Sequence, residues 1–270
     1  LKVSLIITTY NWKEALAAVL QSILKQSCLP DEVIVADDGS RDDTKLLIQH
    51  FQSLFPIPLI HSWQPDDGFR ASRSRNLAIS RAIGDYIIII DGDIVIHKHF
   101  VQDHKKMAKK GNFIQGGRAK IGDKTSALVI SNNTYPSFYA KDIKNRKNLI
   151  HNPILCSLFS RIWNSEKSTR SCNMSFWKKD IIAVNGFNED FTGWGREDSE
   201  LVYRFFNLGL NRLYLKFSAL GFHLYHQENS RGSLKKNDEI LENTITNKLV
   251  YCNNGLTNHT TRDNNENPCM

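Results

Sequence analysis

Tyr86-Ile87-Ile88-Ile89-Ile90-Asp91-Gly92-Asp93 is the stretch whose reading decides the fold. Four consecutive isoleucines cannot alternate polar with apolar, so they read as a strand buried on both faces. Asp91 and Asp93 follow at once, separated by one glycine. Alternate residues of an extended or turning backbone point the same way, so both carboxylates can aim at one point. There they would repel and raise their own pKa unless a cation sat between them. Oxygen ligands at the carboxyl end of a buried strand suit Mg²⁺ or Mn²⁺, and those ions suit a diphosphate. A tight Asp-Gly turn with solvated carboxylates would read the same from this tripeptide alone. The flanking sequence decides between the two.

Upstream, Val3-Ser4-Leu5-Ile6-Ile7 is a second buried-strand candidate, ending in Thr8-Thr9-Tyr10-Asn11. Asn11 can cap a helix in which Ala15, Leu16, Val19, Leu20, Ile23 and Leu24 recur at helical spacing. Pro30-Asp31 breaks the chain, and Glu32-Val33-Ile34-Val35-Ala36 forms another strand ending in Asp37-Asp38-Gly39-Ser40. Thr44 or Asp43 can open the next helix, with Leu46, Leu47, Phe51 and Leu54 as its apolar residues. Strand, helix, strand, helix with short connections predicts an α/β fold, a mainly parallel, doubly wound sheet with right-handed crossovers. Ligands of such sheets sit beyond the carboxyl ends of the strands, where all three polar clusters fall. No GxGxxG follows the first strand and no GxxxxGK[ST] exists, which excludes dehydrogenase-type dinucleotide and P-loop sites. Phosphates are left to a cation and to basic side chains.

Gly68-Phe69-Arg70-Ala71-Ser72-Arg73-Ser74-Arg75-Asn76 supplies those side chains. Gly68 permits a turn, and a helix is predicted over 71–81. Arg70 and Arg75 lie near its start, where guanidinium forks and the helix dipole can meet an anion. A solvated basic helix face is the plainer reading, and the position just before the Asp-Gly-Asp strand disfavours it. Thr8-Tyr10-Asn11, Asp37-Asp38-Gly39-Ser40, Gly68-Phe69-Arg70 with Arg75-Asn76, and Asp91-Gly92-Asp93, in that order, resemble family 2 glycosyltransferases of the GT-A fold. The resemblance spans nearly all of residues 1–226. It implies one GT-A domain over 1–252, with a nucleotide-sugar-binding half at 1–112 and an acceptor-binding, catalytic half at 113–252. By the same resemblance Thr8 and Tyr10 would line the base pocket, Asp38 or Asp37 would bind uracil or ribose, and Asp93 would ligate the metal.

Residues 113–170 carry no named chemistry. Phe113 to Ile121 reads as a strand with Gly116-Gly117 making room for a ligand, Lys141 to Lys147 as a basic exposed run, and the rest as loops facing acceptor or membrane. Cys172 to Phe176 is a short strand. In Phe191-Thr192-Gly193-Trp194-Gly195-Arg196-Glu197-Asp198, two glycines let the backbone bend and bring the Trp194 ring to a ligand, where a sugar can stack beside a carboxylate. Glu197-Asp198 then opens an amphipathic helix, and acidic first turns also occur for helix stability alone. The block resembles the Trp-Gly-x-Glu-Asp motif of inverting galactosyl- and N-acetylgalactosaminyltransferases and chondroitin-type polymerases. That resemblance makes Asp198 the general base and has Glu197 orient the acceptor. Of His223 and His226, the resemblance favours His226 as a further metal ligand.

A net charge of +7 suits an anionic partner, whether nucleotide diphosphate, acidic lipid surface or nucleic acid. An RNA-binding module is disfavoured, because the arginines cluster beside an acidic metal motif without an RNP-type aromatic strand. Five cysteines without CxxC spacing suggest neither a disulfide framework nor a zinc site, and a cytoplasmic setting follows. No signal peptide or spanning segment is read, and the chain opens at Leu1 directly into a strand. The tail from Asn253 to Met270 lacks apolar periodicity and is expected to be disordered. Together these readings predict a Mn²⁺- or Mg²⁺-dependent inverting glycosyltransferase. The resemblance alone implies UDP-galactose, UDP-N-acetylgalactosamine or UDP-glucose, in descending preference, as donor; the acceptor would be a glycan or glycolipid such as bacterial lipooligosaccharide or capsule, with peripheral contact to the inner membrane. A non-catalytic glycan- or nucleotide-sugar-binding protein and a sugar-phosphate nucleotidyltransferase are the alternatives. The paired acids at 197–198 speak against the first, and the absence of a glycine-rich basic loop after the first strand against the second.

Overall fold

The computed structural model of the protein describes residues 1–165, 169–227 and 233–260. The expected alternation opens the chain as β1 (Val3–Thr9), α1 (Lys13–Leu24), β2 (Glu32–Asp37), α2 (Asp42–Gln52), β3 (Leu59–Trp63), α3 (Ala71–Arg81) and β4 (Tyr86–Asp91). Next come β5 (Ile94–Ile96), α4 (Phe100–Met107), β6 (Asn112–Gln115), β7 (Arg118–Ile121), α5 (Asp123–Asn132), β8 (Ile143–Lys144), α6 (Pro153–Phe159) and β9 (Arg161–Ile162). The chain closes through β10 (Asn173–Trp177), α7 (Lys178–Ala183), α8 (Glu197–Asn207), β11 (Asn211–Tyr214), β12 (Gly221–His223), α9 (Leu234–Thr246) and α10 (Thr257–Thr260). No helix among the described residues is long and apolar enough to cross a membrane.

The large sheet runs β3-β2-β1-β4-β10-β6-β11-β9. Its first four strands pair in parallel, while β10 lies antiparallel to both β4 and β6. The isoleucine strand works as its composition dictates. Ile88 and Ile90 pack under α1, α2 and α4 with Leu16, Ile23, Ile48 and Phe100, whereas Ile87 and Ile89 face α3, α7 and α8 with Ile79, Ile181, Leu201 and Phe205. All four are fully buried, and each such side chain contributes about 1.5–3 kcal/mol relative to exposure.

A second sheet, β5-β12-β7-β8, abuts the carboxyl end of β4. Asn173 fastens the two sheets, its Nδ2 donating to Gly117 O (2.9 Å) and Ala219 O (2.8 Å). Asn173 also fills the space that a side chain at Gly116 would need. The expected single strand from Phe113 to Ile121 is therefore two strands in two sheets, bent at Gly116-Gly117.

Other local expectations change for physical reasons. Asn11 does not cap α1, since Trp12 is the residue at that position. Asn11 sits at φ 47° and instead bridges two loops, its N–H donating to Ser40 Oγ and its Oδ1 accepting from Arg41 N. On α2 the buried stripe is Thr44, Ile48 and Phe51; Leu46 is exposed on another face, and Leu54, expected on this helix, lies exposed beyond its end. Residues 113–165 hold short regular elements rather than loops alone. The tail is ordered through Thr260: Leu256 is buried and donates its N–H to Asn185 O (2.8 Å), and His259 Nε2 lies 2.7 Å from Glu189 Oε1. The rest of the expected disordered tail lies outside the described residues.

Candidate active site

The parallel register sets Thr8 of β1 beside Ala36 of β2 and Asp91 of β4, so three strand ends deliver polar groups to one edge. Above them α3 places Arg75, whose side chain is 5% exposed. Its Nε donates to Thr8 Oγ1 (3.1 Å) and its Nη2 to Asp91 Oδ1 (3.3 Å). Its Nη1 lies 3.5 Å from Glu197 Oε1 and 3.7 Å from Asp198 Oδ1, and the guanidinium covers the Phe187 ring. One arginine thus joins the first-strand loop, the Asp-Gly-Asp strand and the acidic start of α8. A planar fork with five donors can span these groups; an ammonium cannot.

The carboxylates divide in character. Burial, with Asp198 alongside, pushes Glu197 up to about 7 against the pull of Arg75. Burial likewise pushes Asp91 up to about 6, opposed by Arg75 and reinforced by Asp93. Asp198 accepts from Ser171 N–H through Oδ2 (3.0 Å), while its Oδ1 has no hydrogen-bond donor among the described residues.

Asp91 and Asp93 do not share one set of partners. Asp93 precedes β5, its carbonyl accepts from Leu224 N–H (2.9 Å), and the β5–β12 register sets Ile94 opposite His223. The small sheet thereby brings both candidate histidines to Asp93 Oδ2, His223 Nε2 at 3.5 Å and His226 Nε2 at 3.2 Å. One ligand atom from each of the three lies within 4.8 Å of the others. Burial would raise the Asp93 pKa, but the His226 hydrogen bond and both imidazoles hold it below its ordinary value. The same bond raises His226, whereas burial lowers His223 to about 4. Asp93 Oδ1 is buried without a hydrogen-bond partner among the described residues. A carboxylate with one orphaned oxygen, whose other oxygen meets two imidazoles, fits a divalent cation, and these residues are a suitable donor set for one.

The remaining candidates sit around this core. Asp37 is buried with both oxygens engaged, accepting from Ser40 N–H and meeting His61 Nε2 at 2.7 Å, an arrangement that shapes the loop. Asp38 accepts from Gln64 Nε2 (2.6 Å) and Arg70 N–H (2.8 Å), and burial pushes it up to about 6. The Arg70 side chain turns to Asp67 (2.9 Å) and away from the Arg75 cluster. Tyr10 is half exposed and donates to Asp66 (3.0 Å). Trp194 is 41% exposed, on a turn tied to the Gly68-Phe69-Arg70 turn by Gly193 N–H donating to Phe69 O (3.1 Å). Gly193 has φ +73°, and a side chain there would collide with Ser233. Arg196 holds φ +80° at the N-cap of α8, a strained position for a residue with a Cβ.

Sequence reasoning missed Arg118 and Cys172. Arg118 opens β7, donates to Cys172 Sγ (3.1 Å) and adds positive charge beside Asp91 and Asp93. Its signal was the preceding Gly116-Gly117, read as room for a ligand without the basic residue that follows.

Residues 4–166 match Glycosyl transferase family 2, and residues 157–227 match the N-terminal domain of galactosyltransferase. The chain is 30% identical over 269 residues to chondroitin synthase of Escherichia coli, covering 92% of this chain and 38% of that protein. It is 27% identical over 256 residues to hyaluronan synthase of Pasteurella multocida, covering 83% of this chain and 24% of that one. It therefore spans well under half the length of these relatives. Among solved structures, S. aureus TarS matches with a TM-score of 0.63 at 17% identity, over 92% of this chain and 40% of that one. A mannosyltransferase from Pyrobaculum calidifontis, solved with GDP-Man and Mn²⁺, matches with a TM-score of 0.55 at 18% identity, over 86% of this chain and 58% of that one. By these matches the chain belongs to glycosyl transferase family 2 and is a glycosyltransferase with the GT-A fold.

Proposed function

We propose that the chain is a metal-dependent inverting glycosyltransferase that moves a hexose or N-acetylhexosamine from a UDP-sugar to a glycan acceptor, forming a β-linkage. The observation that carries this is Arg75, which ties Thr8 and Asp91 to Glu197 and Asp198 in one buried cluster beside Asp93, His223 and His226. TarS has been solved with UDP and with UDP-GlcNAc, which supports a nucleotide-sugar donor. The donor here is UDP-galactose, UDP-N-acetylgalactosamine or UDP-glucose. Two relatives are named for making chondroitin and hyaluronan, which supports a growing glycan as acceptor, of the lipooligosaccharide or capsule kind.

In this reading Asp198 Oδ1, which has no hydrogen-bond donor among the described residues, takes the proton from the acceptor hydroxyl as its oxygen attacks the anomeric carbon. The carbon–oxygen bond to the diphosphate breaks on the opposite face, and UDP leaves with the electron pair. Arg75 and Arg118 bring positive charge to the site, and Glu197 and Trp194 orient sugar rings. Asp93, His223 and His226 would hold the metal, which when bound neutralises diphosphate charge. Asp38 and Tyr10 would meet the nucleoside. Two imidazoles beside one carboxylate suit Mn²⁺ better than Mg²⁺, which prefers oxygen ligands.

Transfer is tested by following UDP release from each of the three donors with Mn²⁺ and an oligosaccharide acceptor. The anomeric configuration of the product is read by proton NMR. A β-linked product is expected, and an α-linked product from an α-linked donor would overturn inversion.

Proton competition gives a second expectation. The hydrogen bond to Asp93 raises the His226 pKa above its ordinary value, so below that raised value a metal has to displace a proton. Mn²⁺ affinity is therefore expected to rise with pH until His226 has lost its proton, and to fall about tenfold per pH unit well below that point. Mn²⁺ titrations between about pH 6 and about pH 8 check the sign, and an affinity that is flat or falls with pH would remove His226 from the site.

A further inference from the structure

The segment between α5 and β10 carries a surface that the glycosyltransferase site does not use. Of the seven residues of α6, only Cys156 is buried, and the others are apolar except for Ser157. Ile154 and Leu158 are 71% and 70% exposed, with Phe159 and Ile162 also exposed. A helix facing water normally turns polar residues outward, and a contiguous exposed apolar patch marks a contact surface. Contacts extend the patch toward the preceding residues. Phe159 packs edge-on to Phe217, whose carbonyl accepts from Asn152 N–H (2.9 Å) at the start of α6. Arg146 donates to the carbonyls of Phe138 and Ala140, holding exposed Tyr139 beside the 3₁₀ turn Arg146–Leu149 that leads through Ile150 to the helix. One edge strand of each sheet, β8 and β9, lies in this same segment.

Charge decides what covers it. Lys141, Lys144, Lys147 and Arg161 are exposed in this segment, and Asp142 is the single acidic residue from 136 to 165. Asp142 is engaged locally, both oxygens accepting from Thr125. Lysine is depleted at the cores of protein interfaces, and a two-fold dimer through this patch would set its positive charges against themselves. Large apolar side chains interleaved with lysine and arginine instead match the boundary of an anionic bilayer, where headgroups meet the cations and acyl chains meet the apolar groups.

We infer that the α6–β9 surface, with Tyr139, Ile150, Ile154, Leu158, Phe159 and Ile162 rimmed by Lys141, Lys144, Lys147 and Arg161, docks the protein on an anionic phospholipid membrane. Delivery of a lipid-linked acceptor to the site is a consequence that rests on the proposed function; the docking itself does not.

The test is co-sedimentation of the protein with vesicles of phosphatidylcholine, with and without phosphatidylglycerol, at low and high salt. Binding to the anionic vesicles alone, weakened by salt, is expected. Each basic residue contributes about fivefold in partitioning. Lys144→Glu with Lys147→Glu should therefore lower partitioning by at least about tenfold, and Leu158→Glu with Phe159→Glu should lower it comparably. UDP affinity by calorimetry should stay unchanged in both pairs, which shows that they fold. Absence of binding to anionic vesicles, or equal binding by the variants, would overturn the inference. A lipid-free dimer abolished by Leu158→Glu, without vesicle binding, would assign the surface to a second copy. Vesicle binding by a protein that transfers no sugar would uphold the docking surface and remove the proposed function instead.

Discussion

Asp198→Asn is expected to lower sugar transfer by about 10³-fold, within the ~10²–10⁴ range that a positioned general base supplies. The change is nearly isosteric. Ser171 N–H can still donate to the side-chain oxygen that replaces Oδ2, so the start of α8 should keep its place. What is lost is a carboxylate able to accept a proton at Oδ1. UDP affinity should be unaffected, because Asp198 lies on the α8 side of Arg75, opposite Thr8 and Asp91. Transfer rates with calorimetric UDP titrations check both halves. Full transfer by the variant would move the base elsewhere, with Glu197, already pushed up to about 7, as the next carboxylate to test.

Arg75→Met is expected to have the largest effect on stability. The arginine is buried, and its guanidinium faces Asp91, Glu197 and Asp198. Those carboxylates in turn raise its own pKa against the effect of burial. Methionine fills much of the volume and supplies no charge. Removing one partner of a buried ionic cluster costs about 3–5 kcal/mol, since the remaining charges stay buried without a counter-charge. Relief comes by protonation, so the loss should be smaller at low pH. Asp91 and Glu197 already sit at about 6 and about 7, and both would rise further without the cation. A folded-state pKa raised above the unfolded value favours folding below it and withdraws that support as pH increases. Urea denaturation of wild type and variant at about pH 5 and about pH 8 should therefore show a gap that widens with pH. A gap that is constant or narrows would mean that Arg75 acts by packing over Phe187 instead of by charge.

Much of the fold was legible in the sequence because β1, β2 and β4 are buried on both faces and read as unbroken apolar runs. Arg75, Asp93, Glu197 and Asp198 stand out as candidates because each lies just beyond or near the start of a periodic element, whereas His226 is a candidate only through the family resemblance. What failed to show was set by long-range contact. The strands of the small sheet have two to four residues, too few for a period, and they bring Arg118 to the site and set His223, named only as the alternative to His226, beside Asp93. Asn11 has cap chemistry, yet a loop across the sheet edge claims its amide. Arg70 and Asp37 resemble ligand residues by type and place, and their neighbours Asp67 and His61 occupy them. The order of residues 253–260 depends on Asn185 and Glu189, some 70 positions away, which no local pattern in a polar tail can reveal.

The central proposal is that Asp93, with His223 and His226, forms the metal centre on which the nucleotide is held. It is tested most directly by titrating UDP calorimetrically into wild type and Asp93→Ala, each with Mn²⁺ and with a chelator. Saturable binding that needs both the metal and Asp93 is the expected result. Equal UDP binding with chelator present, or in Asp93→Ala, would contradict it and reduce Asp91-Gly92-Asp93 to a turn.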